Sequence, residues 1–400
     1  MRESEPCLYR VITMNIIELD REYVLPTYAR FPLCLTEGKG SRVKDSEGKE
    51  YIDLGTGIAV NGFGIADDEW MAAVTAQLGK IQHTSNLYYS EPCAQLAELL
   101  CLKTGMKKVF FSNSGAEANE CAIKVARKYG ELKKGSEYTT IITLTDSFHG
   151  RTLTTLAATG QDVFHKDFLP LTAGFVHAEA NNMEDVRRLA KENSCCAVMF
   201  EVVQGEGGVR PLTQEFLSEL EAFAHENDLL LIADEVQTGN GRTGMLYGYM
   251  NFGITPDVVS TAKGLGGGLP IGATMLGEKV QDVLGAGMHG STFGGNPVAC
   301  AGALSIVRRL DDAMLKGVSE RAEYIFSELT GAKGVLGVSG LGLMIGVECE
   351  KPAGEVIDRC RERGVLVIKA KHKVRLLPAL NIPMEDLKYA IKILKEVCAE

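Results

Sequence analysis

The sequence ITPDVVSTAKGLGGG, residues 254–268, decides which fold the chain is predicted to adopt. Its β-branched run, residues 258–261, predicts a short buried strand, and Lys263 stands just beyond the end of that strand. Three glycines, residues 266–268, follow the lysine. Burial lowers the pKa of a lysine, so an amine held in a crowded pocket here can lose its proton and attack a carbonyl carbon. Taken alone, the stretch is more typical of a surface lysine beside a flexible turn.

An acidic residue upstream gives this lysine a more specific chemical interpretation. Asp234 directly follows an apolar run, residues 229–233, which predicts a buried strand. A buried carboxylate needs a partner, and the protonated ring nitrogen of pyridoxal phosphate would supply one while the ring serves as an electron sink. An acid at one strand end and a lysine after a later strand are the pair that such a site requires. The alternative is that Asp234 caps a nearby helix.

The middle of the chain alternates between short apolar strands and amphipathic helices. Fully apolar strands separated by helices predict a parallel sheet that is covered on both faces, and therefore an α/β fold. Predicted strands cover residues 109–111, 139–144, 197–203, 229–233 and 258–261, and predicted helices cover 115–129, 183–192 and 215–227, with Gly130 ending the first helix.

The two ends of the chain have a different pattern and predict a smaller α+β domain. A hairpin is predicted at residues 41–44 and 50–54. After residue 297 the predicted elements are helices at 297–310, 320–329, 355–363 and 385–398, a glycine-rich hairpin at 337–348, and strands at 365–368 and 374–377. We therefore expect an N-terminal extension with little structure over residues 1–27, small-domain segments at 28–60 and 297–400, and a large domain over 61–296. Met14 is an alternative start, which would make the residues before it dispensable.

Composition argues against several classes of function. The 400-residue chain has a formal net charge of −10 and no basic block, which disfavours a nucleic acid or an anionic membrane as partner. No apolar run approaches the ~20 residues of a membrane-spanning helix, and the first residues contain no apolar signal core. Eleven scattered cysteines without CxxC pairs indicate free thiols in a reducing compartment, so we expect a cytoplasmic protein. The seven histidines lack metal-ligand spacing, and neither a nucleophile elbow nor a dinucleotide fingerprint is present.

Two segments that follow predicted strands carry further candidate site residues. Ser114, Gly115 and Ala116 open a helix, where free N–H groups and the helix dipole favour a phosphate. The alternative is that Asn113 or Ser114 only caps the helix. In the second segment, Phe148 could cover one face of a planar ring, and Arg151 could bind a substrate carboxylate in a fork. A core aromatic residue and a surface arginine are the alternative for this pair.

Two more segments follow the strands at 197–203 and 229–233. Glu201 ends the first strand and precedes a glycine-rich turn with Glu206, where an acid could pair with a substrate-binding arginine and keep it out of use. An ordinary acidic turn is the alternative. After Asp234, Val236 could pack on the other face of the ring and Gln237 could hydrogen-bond the ring's 3′ oxygen.

Nine segments, taken in order, resemble the class III pyridoxal-phosphate-dependent aminotransferases. The resemblance runs from about residue 28 to the C-terminus. Its segments are GKGSRVKDSEGKEYIDLGTGIAVN (38–61), QHTSNLYYSEP (82–92), FSNSGAEANE (111–120), FHGRTL (148–153), QGEGGV (204–209), DEVQTGNGRTG (234–244), AKGLGGGLPIGA (262–273), HGSTFGGNP (289–297) and VRLLPALNI (374–382). It implies fold type I: a large domain with a mostly parallel seven-stranded sheet, and a small α+β domain built from both chain ends.

The resemblance also implies how pyridoxal 5′-phosphate would be held. Lys263 would bind the cofactor covalently and move a proton, and Asp234 would pair with the pyridine nitrogen. The remaining cofactor-binding positions would be Ser114, Gly115 and Ala116 at the phosphate, Phe148 and Val236 on the two ring faces, His149, Gln237, and Thr292 from the other subunit. A homodimer with shared active sites follows, and residues 266–268 would let the second chain close over the phosphate.

Substrate-binding positions are implied in the same way. Arg375 would bind the α-carboxylate of glutamate, with Glu206 as its gate. Arg151 would bind the carboxylate of an acylated amino acid. Glu201, Tyr28 and Asn86 would be further substrate-side residues, the last two at the entrance of the site.

The function that the resemblance implies is transfer of the δ-amino group of N2-acetylornithine to 2-oxoglutarate, in arginine biosynthesis. The products would be N-acetylglutamate 5-semialdehyde and glutamate. Alternative donors are succinylornithine, succinyldiaminopimelate, a carrier-bound lysine precursor, ornithine and 4-aminobutyrate. Gly57 and Ile58 stand where ornithine aminotransferases have a bulky aromatic residue. The resemblance therefore implies a roomier pocket, which favours an acylated donor. An aminomutase is an alternative reaction class, and it would not require 2-oxoglutarate. A non-catalytic scaffold is disfavoured because Lys263, Asp234 and Arg375 are all present.

Overall fold

A computed structural model describes residues 15–400 of the chain. Its helices are α1 Ile16–Tyr23, α2 Thr56–Ala59, α3 Asp68–Leu78, α4 Glu91–Thr104, α5 Gly115–Lys133, α6 Leu153–Ala158, α7 Met183–Glu192, α8 Gln214–Glu226, α9 Pro297–Arg309, α10 Asp312–Leu329, α11 Ala353–Glu362 and α12 Met384–Ala399. Its strands are β1 Leu35–Lys39, β2 Arg42–Asp45, β3 Glu50–Asp53, β4 Lys108–Ser112, β5 Thr140–Leu144, β6 Phe175–Ala178, β7 Cys195–Phe200, β8 Val203–Gln204, β9 Arg210–Pro211, β10 Leu230–Asp234, β11 Val258–Thr261, β12 Gly272–Leu276, β13 Val335–Leu341, β14 Met344–Cys349, β15 Val365–Leu366, β16 Ile368–Ala370 and β17 Lys373–Leu376.

A seven-stranded sheet with the order β4-β12-β11-β10-β7-β5-β6 forms the centre of the molecule. Strand β12 runs antiparallel to both of its neighbours, and the other strands are parallel to one another. Every residue of β7, β10, β11 and β12 is buried, because helices cover both faces of the sheet. The predicted α/β fold with a mostly parallel seven-stranded sheet is therefore confirmed. Strands β6 and β12 were not among the predicted strands.

Helix α5 packs across this sheet and continues past its predicted end. Gly130 does not stop the helix, which runs to Lys133. A Cβ atom on Gly130 would lie 2.0 Å from the Tyr138 carbonyl oxygen and 2.7 Å from Cys196 Cβ. The glycine is thus explained by close approach of the helix to the chain below it, and the prediction of a helix end there was wrong.

The two chain ends meet in a smaller α+β part. Strand β3 pairs in parallel with β15, placing Ile52 opposite Val365 in a sheet of order β1-β2-β3-β15. A second four-stranded sheet, β13-β14-β17-β16, carries Arg375 opposite Gly346. Helices α10, α11 and α12 pack with these strands. The predicted hairpins in both segments are present, and the domain boundaries at residues 28, 61 and 297 stay a prediction.

The N-terminal segment contains a helix that the sequence analysis did not predict. Asn15 caps α1 by accepting a hydrogen bond from the backbone N–H of Glu18, whose side chain in turn accepts from the Asn15 N–H. This capping box fixes the first turn, although no residue of α1 is buried. The interpretation of Met14 as an alternative start concerns residues outside those described. Across residues 15–400, no helix is long and apolar enough to span a bilayer.

Replacing Gly130 by alanine should lower the thermal unfolding midpoint, because the new methyl group would meet a backbone oxygen that cannot move aside. Overpacking of this kind costs about 1–3 kcal/mol. Gly354 of α11 has no atom within 4 Å of the corresponding Cβ position, so Gly354→Ala is a matched control that should leave the midpoint unchanged or raise it. Scanning fluorimetry of both variants checks this, and equal midpoints would contradict the close-approach explanation.

Candidate active site

A cavity of about 410 Å³ opens at the carboxyl edge of the central sheet, where open α/β sheets hold ligands. Parallel strands bring their carboxyl ends to one edge, so the segments after β4, β5, β7, β10 and β11 converge there. Eleven of the predicted site residues line this cavity: Ser114, Gly115, Ala116, Phe148, His149, Arg151, Glu201, Asp234, Val236, Gln237 and Lys263. Glu206, Arg375, Asn86, Thr292 and Tyr28 do not line it. Among the described residues no cluster of three or more His, Cys, Asp or Glu side chains could hold a metal ion.

Lys263 lies at the turn between β11 and the antiparallel strand β12. Its φ of 47° is uncommon for a residue with a side chain, and such conformations occur preferentially at functional sites. Burial lowers the pKa of the Lys263 amine, and Arg375 adds to this effect, whereas Glu206 opposes it. The amine is therefore a better nucleophile and base at neutral pH than an exposed lysine.

The Asp234 carboxyl group lies beside the cavity and has three hydrogen-bonding partners. The side chain of Asn119 donates to its Oδ2 at 2.8 Å, His149 Nδ1 lies 2.7 Å from the same oxygen, and the Val236 N–H donates to Oδ1 at 3.0 Å. Although burial disfavours the charged ring, the hydrogen bond to Asp234 and the charges of Asp234 and Glu201 raise the pKa of His149. Asp234 and His149 therefore form a charge-assisted pair that stabilises the carboxylate.

Sequence reasoning missed Asn119. It lies one turn into α5 and lines the cavity, and it donates to the His149 carbonyl at 2.7 Å as well as to Asp234. The available signal was its place among Ala118, Cys121 and Ala122 on the buried face of the helix, because a polar residue there requires a partner.

The first turn of α5 offers backbone donors to an anion. Ser114 is the N-cap, and its Oγ accepts from the Glu117 N–H at 3.2 Å. The N–H groups of Gly115 and Ala116 belong to the first turn, where no intrahelical acceptor exists. Such a helix start attracts phosphate, so capping and anion binding are compatible at this position. A Cβ atom on Gly115 would lie 2.6 Å from Val236 Cγ1, which makes a side chain impossible there.

Glu201 supports the loop that carries Phe148. It accepts a hydrogen bond from the Phe148 N–H at 2.8 Å, and burial together with the nearby Asp234 raises its pKa to about 7. Phe148 packs edge-on against Phe164, with ring centroids 5.9 Å apart. The carboxyl of Glu201 thus fixes an aromatic side chain in the cavity wall.

The guanidinium of Arg151 lies over two aromatic rings at the rim of the cavity. It is 4.0 Å from the centroid of Phe164 and 5.5 Å from that of Phe148. Arg151 forms no ion pair with any residue of the described chain. Cation–π contact with two rings holds the group while leaving its N–H donors free for a carboxylate.

Arg375 is buried and already paired. Its Nη1 donates to Glu206 Oε1 at 2.7 Å and to Gln237 Oε1 at 3.0 Å. Although burial opposes ionisation of Glu206, the charge and hydrogen bond of Arg375 lower its pKa. The Arg375–Glu206 pair is compatible with the gate role expected from the sequence, and that role stays a prediction.

The remaining predicted residues lie away from the cavity of their own chain. Asn86 Nδ2 donates to the carbonyls of Ser291 and Gly294, both at 2.9 Å, and so braces the loop that carries the exposed Thr292. Tyr28 is exposed and lines a separate groove beside α1. Their proposed roles stay predictions.

The segment at residues 55–64 contains a left-handed turn. Thr56, Gly57, Ile58 and Ala59 have φ values of 46°, 64°, 64° and 63°. Left-handed backbone is costly for non-glycine residues, above all for β-branched ones. The turn is held by Asp53, whose Oδ1 accepts from the N–H groups of Gly55 and Thr56. The next residue, Val60, lines the cavity.

Comparison with known proteins shows to which family the chain belongs. The class III aminotransferase family profile matches residues 23–398. The chain is 49% identical over 388 residues to an acetylornithine aminotransferase of Haemophilus ducreyi, which covers 96% of this chain and 99% of that protein. It is 44% identical to an acetylornithine aminotransferase of Aquifex aeolicus, with 94% and 99% covered.

Solved structures agree. An N-acetylornithine aminotransferase of Stenotrophomonas maltophilia superimposes with a TM-score of 0.84 at 34% identity, covering 96% of this chain and 98% of that one. An ornithine aminotransferase of Toxoplasma gondii, with PLP at partial occupancy in its active site, gives a TM-score of 0.91 at 29% identity, covering 96% and 93%. From the profile match over nearly the whole chain and from these relatives, the chain belongs to the class III aminotransferases.

Proposed function

We propose that this chain is a pyridoxal-phosphate-dependent acetylornithine aminotransferase. It transfers the δ-amino group of N2-acetylornithine to 2-oxoglutarate and gives N-acetylglutamate 5-semialdehyde and glutamate. The observation that carries the proposal is one cavity that joins a lysine of lowered pKa, a buried carboxylate and an unpaired arginine. Four relatives that are 42–49% identical bear this activity in their names.

The residues around the cavity fit pyridoxal phosphate. Asp234 is an anion suited to a protonated ring nitrogen, Phe148 and Val236 offer apolar surface to two ring faces, and the start of α5 suits a phosphate. His149 Nε2 and Asn119 Oδ1 are buried without a hydrogen-bond partner, as expected of polar atoms beside a ligand site. When bound, the cofactor supplies the electron sink that allows an amino group to be exchanged for a keto oxygen.

Lys263 performs the proton transfer in this proposal. Its unprotonated Nζ takes the proton from the carbon of the donor that bears the reacting amino group, and later returns a proton in the reaction of the keto acid. The contact with His149 holds the Asp234 carboxyl group in place at the wall of the cavity. An apolar part of the cavity wall, formed by Leu269, Pro270 and Ile271, excludes water from the reacting atoms.

Two arginines then separate the two substrates. Arg151, with free donors, binds the carboxylate of N2-acetylornithine, while Arg375 stays neutralised by Glu206. When 2-oxoglutarate enters, its carboxylate replaces Glu206 on Arg375. The proposed pathway thus alternates two carboxylate sites beside one lysine, which suits a reaction in which donor and acceptor occupy the same cavity in turn.

We also propose a cytoplasmic homodimer with shared sites. The segment at residues 81–89 and the neighbouring Phe293 present large apolar side chains to solvent, with Leu87 87% exposed and Phe293 59% exposed. Apolar patches of this kind mark interfaces. Thr292 lies in this surface and outside the cavity of its own chain, so a second copy could bring it to the first copy's phosphate site. The ten cysteines within residues 15–400 are free thiols, which supports a reducing compartment.

A panel of amino donors with 2-oxoglutarate as acceptor tests the reaction. N2-acetylornithine should give a kcat/KM at least about tenfold above that of ornithine, whose charged α-ammonium would lie near the Arg151 guanidinium, or of 4-aminobutyrate, whose carboxylate is one carbon closer to the amine. Lys263→Ala should lose turnover and the visible absorbance of the purified protein. Product formation without 2-oxoglutarate would support an aminomutase, and a preference for ornithine would contradict the proposed substrate.

Replacement of each of the two arginines should slow a different half-reaction. Arg151→Met should slow the reaction with N2-acetylornithine about tenfold or more, since a charged hydrogen bond contributes about 1.5–3 kcal/mol, and should spare the reaction with 2-oxoglutarate. Arg375→Met should show the opposite pattern. Stopped-flow measurement of each half-reaction in single turnovers distinguishes them. Equal losses in both half-reactions for either variant would contradict the division of roles.

Mixed dimers test whether Thr292 acts on the partner's site. Lys263→Ala and Thr292→Glu chains should each be inactive as pure dimers, because the added carboxylate repels the phosphate. Statistical mixing after dissociation should restore about one quarter of wild-type activity, since half of the dimers are mixed and one of their two sites is intact. If Thr292 acted on its own chain, both sites of a mixed dimer would be inactive, and mixing would give no more activity than the two pure variants have.

A further inference from the structure

Residues 238–244, TGNGRTG, form a loop that we name the bridging loop. It begins directly after Gln237 and lies between the edge of the central sheet and the small-domain sheet that carries Arg375. Asn240 and Arg242 of this loop are almost fully buried, at 4% and 2% exposure. Neither lines the cavity, and neither was singled out from the sequence.

Asn240 holds the strand end from which Lys263 projects. Its Nδ2 donates to Thr261 Oγ1 at 2.9 Å and to the Ala262 carbonyl at 3.2 Å. A Cβ atom on Gly264 would lie 3.2 Å from Asn240 Cβ. The bridging loop therefore contacts the chain on both sides of Lys263.

Arg242 holds the small-domain sheet on the opposite side. Its Nη1 donates to the Leu343 carbonyl at 3.1 Å and to the Pro378 carbonyl at 2.5 Å. Its own carbonyl accepts from the Leu343 N–H at 2.9 Å. Leu343 immediately precedes β14, and Pro378 comes just after β17, the strand that contains Arg375. One arginine thus joins the ends of the two strands that position the substrate-binding guanidinium.

The charge of Arg242 calls for more than a packing explanation. No carboxylate of the described chain forms an ion pair with it, and burial lowers its pKa to about 9. An unpaired buried charge is costly, and an apolar residue of similar size often stabilises a core more. What an apolar residue cannot do is bind two carbonyl groups of separate strands at once.

The bridging loop is itself rigid. The buried carboxylate of Glu235 accepts from Thr238 Oγ1 at 2.6 Å and from the N–H groups of Gly248 and Tyr249 at 2.8 and 2.7 Å. A Cβ atom on Gly241, whose φ is 87°, would lie 2.8 Å from Leu310 Cδ2. A segment fixed at this many points can act as a spacer between the two structures that it contacts.

We propose that the bridging loop sets the separation between the Lys263 amine and the Arg375 guanidinium, with Asn240 and Arg242 as positioning residues. The inference rests on the proposed function, because it assigns the keto acid to Arg375. Arg151, by contrast, lies on the large-domain segment before α6 and depends on Phe148 and Phe164 for its position. Loss of Arg242 should therefore affect the keto acid selectively, whereas loss of Asn240 should disturb Lys263 and both half-reactions.

The test uses the purified holoprotein and two readouts. Calorimetry measures the Kd of glutarate, a five-carbon dicarboxylate that resembles the keto acid but has no keto group to react. Stopped-flow measures the rate constants of the two half-reactions. Arg242→Met should weaken glutarate binding and slow the 2-oxoglutarate reaction by about tenfold, while the N2-acetylornithine reaction stays within about twofold. Arg242→Lys should recover part of the loss, because an ammonium group keeps the charge but not the fork.

Arg321 supplies the matched control. It also donates to two backbone carbonyls, those of Ile382 and Gly317, but both belong to the small-domain part of the chain. Arg321→Met should lower the thermal midpoint and leave the glutarate Kd and both half-reactions within about twofold. Asn240→Ala should slow both half-reactions by similar factors, because Lys263 serves both.

The outcomes separate this inference from the proposed function. A wild-type protein that neither binds glutarate nor reacts with 2-oxoglutarate would overturn both. Normal glutarate binding in a folded Arg242→Met variant, or equal losses in both of its half-reactions, would overturn the positioning role alone. If Arg242→Met does not fold, Arg242→Lys decides: a selective loss toward glutarate supports the role, and unchanged selectivity rejects it.

Discussion

The site depends on satisfying the hydrogen-bonding capacity of the Asp234 carboxyl group where water hardly reaches it. The residue is 3% exposed, and burying a carboxyl group without hydrogen-bond partners would be costly. Its partners come from three parts of the chain: Asn119 from α5, His149 from the loop before α6, and Val236 from the turn after β10. Satisfying this one carboxyl group therefore requires those segments to converge, and their convergence forms part of the wall of the cavity that Lys263 also lines.

Two arginines near this carboxyl group are stabilised by different physical means. Arg375 is buried, and Glu206 supplies a counter-charge to its guanidinium. Arg151 is exposed and needs no counter-charge, so two aromatic rings suffice to hold it. The difference in burial thus gives one arginine an internal competitor and leaves the other free, which is the asymmetry that two alternating substrates require.

The local sequence pattern predicted those helices and strands whose bounds are set by interactions between neighbouring residues. Strand β11 and helix α7 were predicted with their observed bounds, because β-branched residues and amphipathic spacing act within a few residues. Strand β12 was missed since it follows a glycine-rich turn and owes its place to pairing with β11 and β4. Asn119 was missed because its importance lies in contacts 30 and 115 residues away. Helix α1 was missed although its capping box was present in the sequence, so that error was one of interpretation.

Glycine shows most clearly what a sequence leaves open. The glycines after Lys263 were expected to make room for a second chain, but a Cβ atom on Gly266 would lie 2.0 Å from the Leu269 carbonyl oxygen. Gly267 lies against Trp70, whose indole N–H donates to the Gly266 carbonyl at 3.0 Å. A Cβ atom on Gly115 would likewise clash with the Val236 side chain, and one on Gly205 would clash with the amide of Gln237. A glycine in the sequence indicates a position where a side chain is not tolerated. Only the folded structure shows whether a ligand, a partner or the chain's own atoms occupy the space. Here the chain's own contacts account for all four of these glycines, and the expected approach of a second chain carrying Thr292 stays a prediction.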